Sequence, residues 1–160
     1  MNSERKNKKT MGFTELKKWL RHRHPMIMVD RIIDYEPHEF LTALLNVSGS
    51  MDCIAGHFPE RAIYPGSNLI QAFSQCGIIL LQLCSSKLKD DEVTVVGSIN
   101  TRFYKVVVPG DTVILHLKVD KQIQNLFYFS GTATVEGERV CAFKFSIARM
   151  LVKDLGDPLW

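Results

Sequence analysis

At 160 residues the chain has the length of one domain, large enough to bury roughly two thirds of the surface its unfolded form exposes without a metal or disulfide staple. A hydrophobic fraction of 46% and a charged fraction of 23% are those of an ordinary globular protein, and a net charge of +3 is too small to point to nucleic acid. Cys53, Cys76, Cys84 and Cys141 lack C-x-x-C spacing and fall in apolar surroundings, which argues against a zinc site or a disulfide framework and reads as buried reduced thiols.

The chain opens on Arg5, Lys6, Lys8 and Lys9, so residues 1–12 read as a basic, flexible tail, followed by one domain over 13–153 and a short C-terminal tail over 154–160. No secretory apolar segment follows the tail and no apolar run reaches the length of a membrane span, so a cytoplasmic protein is expected. Phe13, Leu16, Trp19 and Leu20 recur at helical spacing and predict a short amphipathic helix ended by Pro25. His22 and His24 form an H-x-H pair, but nothing near them supplies a third ligand, so a surface or loop role is expected and no metal. Met26 to Val29 is a short apolar run, and after the turn-prone Glu36-Pro37-His38 the residues Phe40 to Val47 read as a strand.

From Leu69 to Leu83 the residues Leu69, Ala72, Phe73, Cys76, Leu80 and Leu83 repeat at helical spacing, while Ile70, Ile79 and Leu81 cover another face. A helix that is apolar nearly all round has to be buried. After Asp90 the pattern turns to alternation: Val113, Leu115, Leu117 and Val119 face one way, and Phe143, Phe145 and Ile147 close the series. Pro109-Gly110 suits the centre of a type II turn and Glu136-Gly137-Glu138 marks a hairpin. One buried helix and several long strands predict an α+β fold, an antiparallel sheet wrapped around that helix.

Four segments then carry a family resemblance. Gly56-His57-Phe58-Pro59-Glu60-Arg61-Ala62-Ile63-Tyr64-Pro65-Gly66, the helix start from Pro65-Gly66 to Gln75, His22-Arg23-His24-Pro25 running to Val29-Asp30-Arg31, and Arg102-Phe103-Tyr104 running to Pro109-Gly110-Asp111 stand in the order found in the β-hydroxyacyl-acyl-carrier-protein dehydratases. The chain resembles that family over roughly residues 16 to 150. The resemblance implies the hotdog fold, a curved antiparallel sheet around one long helix. It also implies dehydration of a carrier-bound 3-hydroxyacyl thioester, with no cofactor beyond the phosphopantetheine arm of the acyl carrier protein. The family's site lies across a dimer interface, so a homodimer, or a heterodimer with a second hotdog subunit, is expected, with further assembly into a trimer of dimers.

Elimination of water from such a thioester needs a base for the α-proton, an electrophile for the thioester oxygen and a proton for the departing hydroxyl. His57 is the natural base, since neutral imidazole is abundant near neutral pH. The N–H of Gly66, at the mouth of the buried helix, is the matching electrophile, and the missing side chain allows close approach. A structural turn histidine and a turn glycine are the plain readings of the same residues, and Phe58 and Tyr64 suit packing and the walls of an acyl tunnel equally. Acidic carriers call for basic docking residues, for which Arg102, Lys105 and Arg149 are the candidates.

Gln71 breaks the pattern, because the family has Glu or Asp there and a primary amide has no titratable proton to deliver. Losing a general acid costs roughly 3 to 5 kcal/mol of barrier unless something substitutes. His57 can return the proton it has taken, with Gln71 holding the hydroxyl or a water, or the substrate is a polyene or aryl chain whose conjugation lowers the barrier, as in a specialised polyketide pathway. Two other readings stand beside these: a catalytically reduced subunit of a heteromeric dehydratase, and a hotdog thioesterase.

Overall fold

The structure is a computed structural model and describes residues 8–158. In chain order it contains α1 (Phe13–Leu16), β1 (Arg31–Glu36), β2 (Phe40–Asn46), α2 (Asp52–Gly56), α3 (Gly66–Cys84), β3 (Glu92–Phe103), β4 (Thr112–Ile123), β5 (Leu126–Val135), β6 (Glu138–Leu151) and a closing 3-10 turn, Val152–Leu155. The strands form a single six-stranded sheet in the order β1-β2-β4-β5-β6-β3, antiparallel throughout.

The sheet closes on α3, as the all-round apolar pattern demands. Twelve residues of this helix, from Leu69 to Gln82, are buried. They meet the inward faces of the strands, where Leu41, Ala43 and Leu45 of β2, Val113, Leu115 and Leu117 of β4, and Phe143, Phe145 and Ile147 of β6 alternate with outward residues. A side chain at Gly131 of β5 would fall 2.7 Å from the Phe73 ring, so the missing Cβ lets helix and sheet approach. By length and composition alone α3 would cross a bilayer, contrary to the reading that no apolar run is long enough; 67% of its apolar window is buried inside the protein, where it serves as core.

The expected turns form for the reasons given. Gly110 has φ of 101° in the turn closed by Asp111 N–H on Val108 O, and Glu136 and Gly137 both have positive φ between β5 and β6, as a two-residue type I′ hairpin requires. The N-terminal region differs. The first helix ends at Leu16, well short of Pro25: the Lys18 and Trp19 N–H groups bond back only three residues, to Glu15 O and Leu16 O, and the Trp19 carbonyl accepts from Gln82 Nε2 (2.6 Å). Met26 to Val29 is not a strand; α3 holds it through Gln75, whose Nε2 donates to Met26 O (2.6 Å) and whose Oε1 accepts from Met28 N–H (2.9 Å). Arg5 and Lys6 of the expected tail lie outside the described residues, but Met11 is buried and pairs with Ile32 on the edge of β1, and Lys9 bridges to Glu36, so residues 9–12 belong to the domain.

Candidate active site

The segment that joins α2 to α3 is a closed loop. His57 caps α2, and its backbone pairs with Ile63 (Ile63 N–H to His57 O, 3.0 Å), while Phe58 and Arg61 exchange N–H···O bonds of 3.2 and 3.1 Å inside it. His57 Nδ1 lies 3.0 Å from Ile63 O. A carbonyl only accepts, so Nδ1 carries a proton, and in the neutral ring Nε2 is the nitrogen with the lone pair. The half-buried imidazole stacks on Phe58, with ring centroids 4.1 Å apart, and a cis peptide joins the two residues. Fixed in tautomer and plane, this ring presents one basic nitrogen.

Phe58 is half exposed, as a cleft wall would be, whereas Tyr64 is buried. Tyr64 N–H donates to Val107 O (2.7 Å) and its hydroxyl to Met28 Sδ (3.6 Å), and burial pushes the phenol well above its ordinary pKa. Tyr64 also lines a pocket of about 470 Å³ with Met28, Met51, Cys53 and Asn68. A second pocket of about 510 Å³ is lined by His22, Met26, Ile78 and Val93. His22 is half-buried with its Nδ1 unpartnered, and burial lowers its pKa, while His24 is exposed, its Nε2 4.0 Å from Asp52.

Pro65, with φ of −60°, sets the chain for the first turn of α3, and Gly66 is its first residue. The Gly66 N–H has no acceptor among the described residues, as the geometry of a helix start dictates. The Phe103 ring lies against the Cα of Gly66: a Cβ at 66 would fall 2.8 Å from Phe103 Cζ. One turn further on, Gln71 is half-buried and its amide makes no hydrogen bond among the described residues. Gln75 and Gln82, on the same helix, are buried and fully spent on backbone groups. Of these three amides, only that of Gln71 is free for a ligand.

The three basic residues diverge. Arg102 is exposed on β3 and, with Arg139, flanks the Tyr104 ring at 5.5 and 5.4 Å. Lys105 pairs with Glu138 at the surface. Arg149 is largely buried, paired with Glu92 and donating to the carbonyls of Ser86 and Lys87, and it holds the Glu92 carboxyl down at about 2. Its guanidinium ties the end of α3 to the sheet. Sequence reasoning overlooked the cations that accompany Arg102. Across the outer face of the sheet, Lys118, Ser130, Lys144 and Asn100 form one row of paired residues, and His116, Thr132, Ala142 and Arg102 form the next. Ser130, Thr132 and Ala142 floor a groove of about 370 Å³ lined also by Lys118, Lys144 and Arg102. Basic positions spread over three different strands give no local signal.

All four cysteines are free. Burial raises the thiol pKa of Cys141 to about 12 and that of Cys76 further, which leaves both unreactive.

Similarity to known proteins agrees with this picture. Residues 20–144 match the FabA-like domain. The chain is 56% identical over 152 residues to coronafacic acid dehydratase of Pseudomonas savastanoi pv. glycinea, covering 95% of this chain and 92% of that one. It is 36% identical over 144 residues to the 3-hydroxyacyl-[acyl-carrier-protein] dehydratase FabZ of Rickettsia massiliae, covering 90% and 97%. Among solved structures, the dehydratase heterocomplex ApeI:P of Xenorhabdus doucetiae superposes with a TM-score of 0.71 at 13% identity over 88% of this chain and 93% of that one. The thioesterase HI1161 of Haemophilus influenzae does so with 0.64 at 15% identity over 91% and 94%; at such identities both speak for the hotdog fold alone. A sheet closed on one central helix, with the His57 loop leading into the Gly66 turn, and a domain match over most of the chain together place the protein in the FabA-like family.

Proposed function

We propose that the chain is a dehydratase that eliminates water from a carrier-bound 3-hydroxyacyl thioester to give the trans-2-enoyl thioester. The observation that carries this reading is the fixed tautomer of His57, whose Nδ1–H is bound to Ile63 O so that Nε2 is free to take a proton. The Gly66 N–H, at the positive end of α3, receives the thioester oxygen and stabilises the charge that builds there as the α-proton leaves. Proton transfer to Nε2 forms an imidazolium. As the bond from C3 to oxygen breaks, that imidazolium returns its proton to the leaving hydroxide, directly or through a water held by the Gln71 amide. Water and the enoyl thioester depart and His57 is neutral again. Oxidation level does not change, so the elimination calls for no redox cofactor, and the phosphopantetheine arm arrives as part of the substrate.

The single domain, extended at its start to residue 9 by the Met11–Ile32 bridge and the Lys9–Glu36 pair, is the catalytic unit, working in the cytoplasm on an acyl carrier protein. Of the docking candidates, Arg102 has the strongest case, with His116, Lys118 and Lys144 around the outer groove in place of the committed Arg149. Assembly uses the open edge of β3, where the exposed Val96 and Ile99 call for a partner. The amide at position 71, together with 56% identity to an enzyme named for coronafacic acid, favours a specialised acyl chain over housekeeping lipid synthesis. A second reading, a subunit that pairs with another hotdog chain carrying the carboxylate, draws support from the amide at position 71, which leaves this chain without the family's acid. Incubating the purified protein with 3-hydroxyacyl carrier proteins of different chains and weighing the products separates the two. Loss of one water by the protein alone supports the first reading; loss only after a second hotdog subunit is added supports the second; no loss in either case refutes dehydration.

A further inference from the structure

Phe103 stands at the last position of β3, 37 residues from Gly66 in sequence, yet its ring tip touches the first turn of α3. A Cβ built on Gly66 would lie 2.8 Å from Cζ, 3.0 Å from Cε1 and 3.4 Å from Cε2 of that ring, so only glycine leaves the ring where it is. The ring does not hang free. It meets Phe143 edge-on, with centroids 6.3 Å apart and planes at 86°, and Phe143 in turn packs at 3.9 Å against Phe73 of α3. Three aromatic rings from β3, β6 and α3 thus form a packed row that ends on the Gly66 Cα, while about half of Phe103 stays exposed.

We infer that Phe103 is a positioning residue for the carbonyl-polarising N–H of Gly66: its ring packs on the Gly66 Cα, fixes the first turn of α3 and with it the direction of the donor. The inference rests on the dehydratase reading of the site. A donor aimed at a developing oxyanion works because it is pre-oriented and poorly hydrated, and a misplacement of about 1 Å can cost on the order of 10²-fold in rate. The glycine at 66 accordingly has two uses: it lets the thioester oxygen approach and it makes room for the ring.

The test is a double-mutant cycle read in turnover of a 3-hydroxyacyl carrier protein. Phe103→Ala is expected to lower kcat by about 10- to 100-fold with KM nearly unchanged, because the donor acts on the transition state more than on bound substrate. Gly66→Ala should do similar damage by driving the ring away. In the Phe103→Ala background, however, Gly66→Ala should add less than about threefold, since there is no ring left to displace. Phe103→Leu, which keeps apolar cover, should restore part of kcat. Melting temperature and mass by light scattering are followed in each variant; a loss that vanishes when rates are corrected for folded, assembled protein would overturn the role, as would independent multiplying losses or an effect confined to KM. A wild-type protein inert toward every such substrate overturns the dehydratase reading and this role with it, whereas an active wild type with independent losses overturns only the role of Phe103.

Discussion

At the scale of single residues the site is a contrast between a histidine that is held and an amide that is not. His57 is fixed by one hydrogen bond to Ile63 O and one ring contact with Phe58, neither of which supports the core. His57→Ala is therefore expected to abolish dehydration while the melting temperature stays within a few degrees, measured by carrier-protein mass spectrometry and calorimetry; unchanged turnover would remove His57 from the mechanism. Gln71 is the sharper probe. Glu is nearly isosteric, and because the Gln71 amide has no partner among the described residues, Gln71→Glu breaks no hydrogen bond there. On a half-buried helix face the new carboxyl is pushed toward its protonated, donating form. If the amide is only a lost acid, dehydration of ordinary saturated 3-hydroxyacyl substrates should rise by roughly 10²- to 10⁴-fold. If the amide is adapted to a conjugated chain or to a partner subunit, the gain should be small and turnover of the native substrate should fall.

At the scale of elements, what could be read from sequence was what repeats within one element. The apolar run of α3, the alternation along β4 and the turns at Gly110 and Gly137 each follow from neighbours a few residues apart, and each is found. Where one short element leans on another, local pattern was silent. Strand β1 is interrupted by a bulge between Ile32 and Asp34 that breaks alternation, α2 has only five residues, and the β4–β5 turn puts Gln124, a residue with no turn signature, at φ of 51°. The site divides in the same way. His57 and Gly66 belong to one continuous loop and helix start, whereas the contact of Phe103 with Gly66 and the commitment of Arg149 to Glu92 arise only when distant strands come together. Gln75 did carry a signal, because an amide amid a buried apolar face must find partners. It clamps Met26 and Met28, and Gln75→Leu would keep volume while stranding a carbonyl and an N–H. A loss of about 2–4 kcal/mol is expected, seen as a melting temperature lower by roughly 5–15 °C, and a drop of less than a degree would show that the clamp contributes nothing.

At the scale of the molecule, the two edges of the sheet are treated differently. The β1 edge is covered by its own chain through the Met11–Ile32 bridge and the Lys9–Glu36 ion pair. The β3 edge, a 12-residue strand, is left open with Val96, Ile99 and Phe103 between 44% and 48% exposed. An open apolar edge of that length invites pairing, and a second copy of the chain, or a second hotdog subunit, satisfies it. Because Phe103 ends that edge and touches the start of α3, a partner seated there comes close to Gly66. The proposal that His57 of one subunit works with Gln71 of the other can then be read from mixing alone. His57→Ala and Gln71→Ala proteins are each prepared as crippled dimers, then mixed in equal amounts and allowed to exchange subunits. Random exchange makes about half of the dimers mixed. In a mixed dimer with shared sites, one site carries both substitutions and the other carries neither, so about a quarter of wild-type turnover should return. Sites built within one chain gain nothing from exchange, because every subunit keeps its own lesion. Recovery near a quarter with kcat of the intact sites unchanged is the expected result; no recovery, with exchange verified by native mass spectrometry, would place His57 and Gln71 in the same subunit or in different reactions.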